Sequence, residues 1–203
     1  MFKSTVLKHA IFIALCGVTL VLPAHADTWQ IDIDTTSLAG IGGYLDLQFN
    51  PGASDAQALQ AQISNFSGDA VLGTGLVDGA VSGSLSGVLM LDNSDALNAW
   101  LQGLVFGSHI AFTLDVNAAP VTGSGSSFAA LLWDADFNPL LAAAGEDAAL
   151  RVDLLPGTAP SWVTSSSVQV SAVPEPAIMA SLLAGLGMVG LAVRRRKPGR
   201  EAG

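Results

Sequence analysis

The chain has 203 residues, with 8 basic side chains against 17 acidic ones, and half of its residues are hydrophobic. Between residues 27 and 172 the only basic residue is Arg151, and 14 aspartates plus Glu146 give this stretch a net charge of −14. Such an acidic surface cannot release counterions from phosphates, which argues against nucleic acid as a partner. The one cysteine, Cys16, lies near the N-terminus, so the rest of the chain forms neither a disulfide nor a cysteine-based metal site.

The N-terminal residues have the features of a secretory signal peptide. Two lysines precede an apolar stretch, 10–22, whose about 13 residues are fewer than the roughly 20 that a membrane span needs. Ala24 and Ala26 then supply the small residues at which signal peptidase cleaves. We expect cleavage after Ala26, so residues 1–26 are a signal peptide and the remainder is exported.

Residues 27–172 mostly show the two-residue periodicity of half-buried strands. Trp29, Ile31 and Ile33, for example, alternate with polar residues. Eight strands are predicted: 28–34, 44–49, 60–66, 81–92, 109–117, 126–133, 149–155 and 167–173. Strands that each have one apolar face must pack as two sheets or close on themselves. The sequence therefore predicts an all-β fold, with 27–172 as one acidic, extracytoplasmic β-sandwich domain for which a jelly roll is one arrangement.

One segment between these strands has helical spacing instead. Leu97, Trp100, Leu101 and Leu104 recur at intervals of three and four residues, and Ser94 is placed to act as an N-cap. The spacing predicts a single short α-helix over residues 94–104.

The best candidate for a metal site follows the strand 126–133. Asp134, Asp136 and Asn138 match the first three oxygen ligands of a calcium loop. Pro139 and Gly145, however, stand where such a loop has its glycine and its bidentate glutamate. We therefore favour a hairpin turn here and predict no cofactor, with loose Ca²⁺ association by the acidic surface as a weaker expectation.

Catalytic residues are scarce in the exported part of the chain. His109 is its only histidine and falls on the polar face of its strand, so no second histidine exists to build a triad. None of the serines lies in a nucleophile-elbow pattern. Two aspartate pairs at i, i+2 spacing, 32/34 and 134/136, are explained more simply by acidic turns and strand edges. The sequence predicts a protein that is not an enzyme.

The C-terminal region combines an extended motif, an apolar run and a basic cluster. The motif is Val173, Pro174, Glu175 and Pro176, in which two prolines forbid a helix. The 17 uncharged residues 177–193 are long enough for a short transmembrane helix. The basic cluster that follows, and that the positive-inside rule places in the cytoplasm, is Arg194, Arg195, Arg196 and Lys197.

The order of these parts over residues 173–200 resembles the PEP-CTERM sorting signal. The resemblance implies recognition by an exosortase in the bacterial inner membrane and cleavage near residues 174–176. Transient anchoring by the C-terminal helix would then end in release or transfer to the cell surface, in bacteria that make exopolysaccharide and biofilms. Residues 34–52 and 63–69 also resemble a group of uncharacterised PEP-CTERM proteins, which has no established activity.

These features favour a non-enzymatic protein of the cell surface or extracellular matrix, associated with exopolysaccharide in biofilms. Its other expected partners are signal peptidase, the exosortase and the inner membrane. The alternative is a carbohydrate-binding module that acts through exposed aromatic residues, for which the candidates are Trp29, Tyr44, Trp100, Trp133 and Trp162. A secreted hydrolase ranks last because the sequence shows no acid/base constellation.

Overall fold

The computed structural model describes residues 27–173 of the chain. Within this range, no helix is long and apolar enough to cross a bilayer. Several predicted features lie outside the described residues: the signal peptide 1–26 with Ala24 and Ala26, the motif residues Pro174, Glu175 and Pro176, the span 177–193, and Arg194, Arg195, Arg196 and Lys197.

The described part of the chain is all-β, as predicted, with a single 3-10 helical turn, Thr36–Leu38, and no α-helix. Its strands are β1 (Asp27–Asp34), β2 (Gly42–Pro51), β3 (Gln60–Gly68), β4 (Val71–Asp78), β5 (Val81–Gly83), β6 (Leu89–Asp92), β7 (Ala99–Val105), β8 (His109–Val116), β9 (Ser126–Asp134), β10 (Pro139–Leu140), β11 (Leu150–Leu154), β12 (Ser161–Thr164) and β13 (Val168–Ala172).

The strands form two antiparallel sheets. The six-stranded sheet has the order β13-β1-β8-β3-β6-β5. The seven-stranded sheet has the order β12-β11-β9-β2-β7-β4, with β10 paired to β9. The chain crosses from one sheet to the other between most successive strands, which places β1-β8-β3-β6 in one sheet and β2-β7-β4 in the other. This alternation is the wrapping pattern of a jelly roll.

The core lies between the two sheets and is filled by the inward-facing residues of each strand. Ile31 and Ile33 of β1 are completely buried, as are Leu45 and Leu47 of β2. Phe112 of the six-stranded sheet meets Phe128 of the seven-stranded sheet edge to face, with ring centroids 6.4 Å apart. The two-residue periodicity therefore identified the buried face of these strands correctly.

The predicted α-helix over residues 94–104 is wrong. Strand β7 occupies Ala99–Val105 and pairs with β2 on one side and β4 on the other. The residues before β7 form a turn because the side chain of Asn98 bonds to the backbone of Asp95, accepting from its N–H and donating to its carbonyl. Local bonds of this kind compete with helix formation. Ser94 consequently caps no helix.

Asn98 also joins three parts of the domain. Its side chain is completely buried. The side-chain oxygen accepts a hydrogen bond from Ala80 N (2.9 Å), and the side-chain nitrogen donates to the Phe49 carbonyl (3.1 Å). The backbone N–H of Asn98 donates to Asn50 Oδ1 (2.7 Å). This side-chain amide, in which the oxygen and the nitrogen are both hydrogen-bonded, therefore connects the β4–β5 turn, the end of β2 and the start of β7.

We expect Asn98→Ala to lower the free energy of unfolding by about 3 kcal/mol, because each buried backbone group left without a partner costs roughly 1–3 kcal/mol. Urea denaturation measures this change. The control is Asn117→Ala, which removes one exposed hydrogen bond that Gln60 N donates to Asn117 Oδ1 (3.0 Å). We expect this change to lower the free energy of unfolding by less than about 1 kcal/mol. Similar losses in the two variants would contradict the role assigned to Asn98.

Candidate functional site

A cleft of about 370 Å³ lies on the outer face of the seven-stranded sheet, and we call it the outer cleft. Its floor is formed by Asp46 and Gln48 of β2 and by Ala99 and Leu101 of β7. Two groups of residues form its sides: Leu76, Val77, Asp78 and Leu97 on one side, and Trp133 and Phe137 on the other.

The alternation of β2 places polar residues on this floor. Leu45 and Leu47 face the core, so Asp46 must face outward. Because β2 has a neighbour on each side, Asp46 lies opposite Leu101 of β7 and Leu131 of β9. Only 8% of Asp46 is exposed. A carboxylate on the outer face of a sheet is thereby buried.

Three aromatic rings stand together at one end of the outer cleft. Tyr44 lies opposite Trp133 in the β2–β9 pair. The ring of Phe137 stacks on Tyr44, with centroids 4.8 Å apart and planes 9° apart, and lies 6.5 Å from the ring of Trp133. Phe137 remains 53% exposed. An exposed apolar surface of this kind suits the packing of a flat ligand.

The loop that presents Phe137 is held by Asp134. The Asp134 carboxylate accepts hydrogen bonds from Asp136 N (2.9 Å), Asn138 N (2.8 Å) and Asn138 Nδ2 (2.9 Å). Phe137 has a φ of 59°, which is unfavourable for a residue with a side chain, so the loop needs these bonds to keep its shape. The sequence correctly indicated a hairpin here, since β10 returns to pair with β9.

The predicted calcium ligands meet only in part. Asp134 and Asn138 are in contact, but they bond to each other, and hydrogen bonds from Asn138 hold the pKa of Asp134 below its ordinary value. The Asp136 backbone bonds to the same carboxylate. No group of three His, Cys, Asp or Glu residues placed to hold a metal occurs within residues 27–173. The structure thus gives these residues a role in shaping the loop.

Asp46 has one satisfied and one unsatisfied oxygen. Its Oδ2 accepts hydrogen bonds from Gln48 Nε2 (2.7 Å) and Trp133 Nε1 (3.4 Å). Its Oδ1 is buried and has no hydrogen-bond partner among the described residues. Burial raises the pKa of Asp46, against the opposing effect of the bonds from Gln48 and Trp133. An unpaired buried acceptor is costly, so Oδ1 lowers the stability of the domain locally.

A row of side-chain hydrogen bonds along β2 connects this carboxylate to the buried Asn98. Asn50 accepts from the Asn98 backbone and donates through Nδ2 to Gln48 Oε1 (3.2 Å). Gln48 then donates to Asp46, which also holds the indole of Trp133. We call Asn50, Gln48, Asp46 and Trp133 the polar row. These bonds fix the orientation of the Asn50 and Gln48 amides and hold one oxygen of Asp46 in place.

Of the five aromatic candidates from the sequence, Trp133 lines the outer cleft, and Tyr44 adjoins it by stacking on Phe137. Trp100 is buried in the core. Trp29 is also buried and meets Trp162 edge to face at 5.1 Å, away from the cleft. The sequence prediction missed Asp46, Gln48 and Phe137. The D-x-D-x-N pattern was the one sequence signal near Phe137, which lies between the second aspartate and the asparagine of that pattern.

His109, the single histidine of the exported part, lies beside Asp69 and Ser108 but does not form a catalytic triad with them. The Ser108 hydroxyl donates to Asp69 Oδ2 (2.8 Å), whereas a serine nucleophile must give its proton to imidazole. The His109 Nδ1 atom is 3.6 Å from Asp69 Oδ1, and both side chains are about half exposed. The cluster ties the chain after β3 to the start of β8.

The same cluster gives a prediction for acid stability. Hydrogen bonds from the backbone N–H groups of Ser108 and His109 and from the Ser108 hydroxyl hold the pKa of Asp69 well below its usual range. A depressed pKa contributes stability above the unfolded-state value of 3.8, and this contribution is lost as the pH falls below it. Between neutral pH and about pH 3 we expect the melting temperature to fall less in Asp69→Asn than in the parent protein. Equal falls would contradict this account.

Comparison with known proteins identifies one feature, the PEP-CTERM protein-sorting motif, which matches residues 172–197. No curated protein and no solved structure matches the chain, so the resemblance of residues 34–52 and 63–69 to other PEP-CTERM proteins gains no support. The motif begins at Ala172, the last residue of β13, and Val173 N still donates to the Thr28 carbonyl of β1 (2.9 Å). The chain therefore enters its sorting motif directly from a sheet edge, and this motif implies an exported protein that an exosortase sorts to the cell surface.

Proposed function

We propose that residues 27–172 are a non-enzymatic module of the cell surface or extracellular matrix that binds exopolysaccharide through the outer cleft. The observation that carries the proposal is the meeting, in one cleft, of an exposed aromatic surface with polar side chains. Signal peptidase, the exosortase and the inner membrane are its partners during sorting, and the biofilm polymer is its partner afterwards.

The chemistry of the outer cleft suits a sugar. A pyranose ring has an apolar C–H surface and a rim of hydroxyl groups, and it therefore needs both apolar packing and precisely placed polar groups. Trp133 and Phe137 supply the first, and the side chains of Gln48 and Asp78 supply the second. A volume of about 370 Å³ lies within the range of sites that hold small ligands.

A glycoside hydrolase is a second candidate, favoured because Asp46 and Asp78 line the same cleft. Hydrolysis requires one carboxyl group to protonate the glycosidic oxygen and another to act as base or nucleophile. Burial raises the pKa of Asp46, as in a general acid, but its Oδ2 is already held by Gln48 and Trp133. Release of reducing ends from a bound polysaccharide, abolished in Asp46→Asn, would support hydrolysis over binding.

The sorting step predicts a change in mass. We expect the protein from exosortase-containing cells to lack the residues beyond the cleavage point near 174–176, because the motif is the recognition site. Glu175→Ala, or loss of the exosortase, should leave an uncleaved protein in the membrane fraction. Intact mass spectrometry measures both. A mature protein that still extends to Gly203 in exosortase-containing cells would contradict the proposal.

The binding step predicts that Trp133→Ala weakens binding of the exported protein to the cells' own exopolysaccharide by about tenfold or more. The variant removes both an aromatic surface and a donor to Asp46, and residues at the centre of an interface commonly contribute more than about 1 kcal/mol. Co-sedimentation with the polysaccharide measures the loss.

The matched control is Trp162→Ala, which removes a partly buried tryptophan that packs on Trp29 outside the outer cleft. We expect this variant to bind as the parent does once both are shown to be folded by circular dichroism. Equal loss in the two folded variants would contradict a binding site confined to the outer cleft, since Trp162 and Trp29 line a separate cleft.

A further inference from the structure

We propose that the exosortase processes this protein only after the residues just before Pro174 separate from β1. These residues are 171–173, the end of β13 together with Val173, and we call them the exit segment. The inference rests on the sorting step proposed above and adds a requirement on the folded domain. Three observations carry it: the bonds that hold the exit segment, the short chain between it and the predicted membrane span, and the cleft beside it.

Backbone hydrogen bonds hold the exit segment in the six-stranded sheet. Ser171 lies opposite Gln30 of the antiparallel β1, and Val173 N donates to the Thr28 carbonyl (2.9 Å). Because such bonds occur at every second residue of an antiparallel pair, the backbone groups of Ser171 and Val173 are taken up by β1. Enzymes that act on a peptide bond commonly hold the substrate extended through these same backbone groups. The exosortase therefore competes with β1 for the exit segment.

The chain between the sheet and the membrane is too short to bypass this pairing. Cleavage is expected near residues 174–176, and the predicted membrane span begins at Ala177. The chain from Val173 to Ala177 reaches at most about 14 Å when it is fully extended. An exosortase in the inner membrane must act within this gap. If it holds residues on both sides of the cleaved bond, it needs the residues immediately before Pro174 as well, and these belong to the exit segment.

The packing around the exit segment lets it separate without opening the core. All three of its residues are exposed, whereas Val168 at the start of β13 is buried. A cleft of about 430 Å³ lies beside the end of the strand and is lined by Trp29, Trp162, Thr164, Val170 and Ala172. Since β13 is an edge strand, β1 is its one neighbour in the sheet. Edge segments with few buried contacts open locally at low cost, so we expect β13 to fray from Val173 toward Val168.

The inference can be tested with engineered disulfides that link β13 to β1 at two positions. Gln30→Cys with Ser171→Cys links the exit segment to β1, and Asp32→Cys with Gln169→Cys links the same two strands two residues further from the motif. Directly opposed residues of such a pair lie roughly 5.5 Å apart between Cα atoms, which is within the range of a disulfide. The chain's one native cysteine, Cys16, lies in the predicted signal peptide, so the exported protein carries no competing thiol.

We expect the variant linked at Gln30 and Ser171 to remain uncleaved in the membrane fraction of exosortase-containing cells. The variant linked at Asp32 and Gln169 is the matched control, and we expect it to be cleaved as the parent is, because its exit segment stays free to separate. Intact mass spectrometry distinguishes the cleaved from the uncleaved form, and labelling of free thiols establishes that each disulfide has formed. Reduction of the first variant should restore cleavage, since it frees the exit segment without changing the sequence.

Cleavage of the variant linked at Gln30 and Ser171 at the parent's rate would overturn the inference and leave sorting by the exosortase intact. Equal loss of cleavage in both linked variants would overturn it as well, because the effect would then not be confined to the exit segment. A parent protein that stays uncleaved in exosortase-containing cells would instead contradict the proposed sorting step itself.

Native-state hydrogen exchange gives a second measurement, which needs no substitution. In the full-length protein from cells without the exosortase, we expect the amide of Val173 to exchange through local opening, faster than the amide of Gln169 on the same strand. Equal and strong protection of the two amides would overturn the inference, since the exit segment would then open only together with the whole of β13.

Discussion

The buried side chain of Asn98 is the interaction on which the rest of the domain's organisation depends. Its bonds to Asp95 end the turn before β7, and its bonds to Ala80 and Phe49 set the register in which β4, β7 and β2 meet. The same residue starts the polar row, because its backbone orients Asn50. A fully satisfied amide in a low-dielectric interior holds its neighbours in one arrangement, since every alternative leaves a polar group unpaired. The site on the outer face thus inherits its geometry from a residue in the interior.

Strand β2 connects the interior of the domain to the outer cleft, because one of its faces packs in the core and the other lines the cleft. Leu45 and Leu47 help to fill the core, which fixes the strand's register and therefore the outward direction of Asp46. Because β2 is a central strand with a neighbour on each side, the carboxylate of Asp46 is buried. On an edge strand the same carboxylate would be exposed to water. The unsatisfied oxygen of Asp46 lowers the stability of the domain locally, and the burial of the hydrophobic core outweighs this loss.

The sequence predicted those parts of the fold that depend on local pattern. Alternation identified β1, β2 and β8, because each has one apolar face, and turn chemistry indicated the hairpin after Trp133. It failed at β7, where the spacing of Trp100 and Leu104 suits a helix and a strand alike. The side-chain bonds of Asn98 and the pairing of this segment with β2 and β4, which are distant in sequence, favour the strand over the helix. It also missed β4, whose glycines and exposed residues carry little pattern. Tyr44 and Trp133 were among the aromatic candidates, but the burial of Asp46 depends on the register of three strands and could not be read from β2 alone.

The start of the sorting motif and the outer cleft belong to different sheets of the domain. Strand β13, which leads into the motif, is the edge of the six-stranded sheet, and Val173 keeps the exit of the chain beside the start of β1. The outer cleft lies on the outer face of the other sheet, and the hydrophobic core separates it from β13. No residue from Val168 to Val173 lines the cleft. Within the described residues, the strand that leads into the motif and the outer cleft therefore share no side chain.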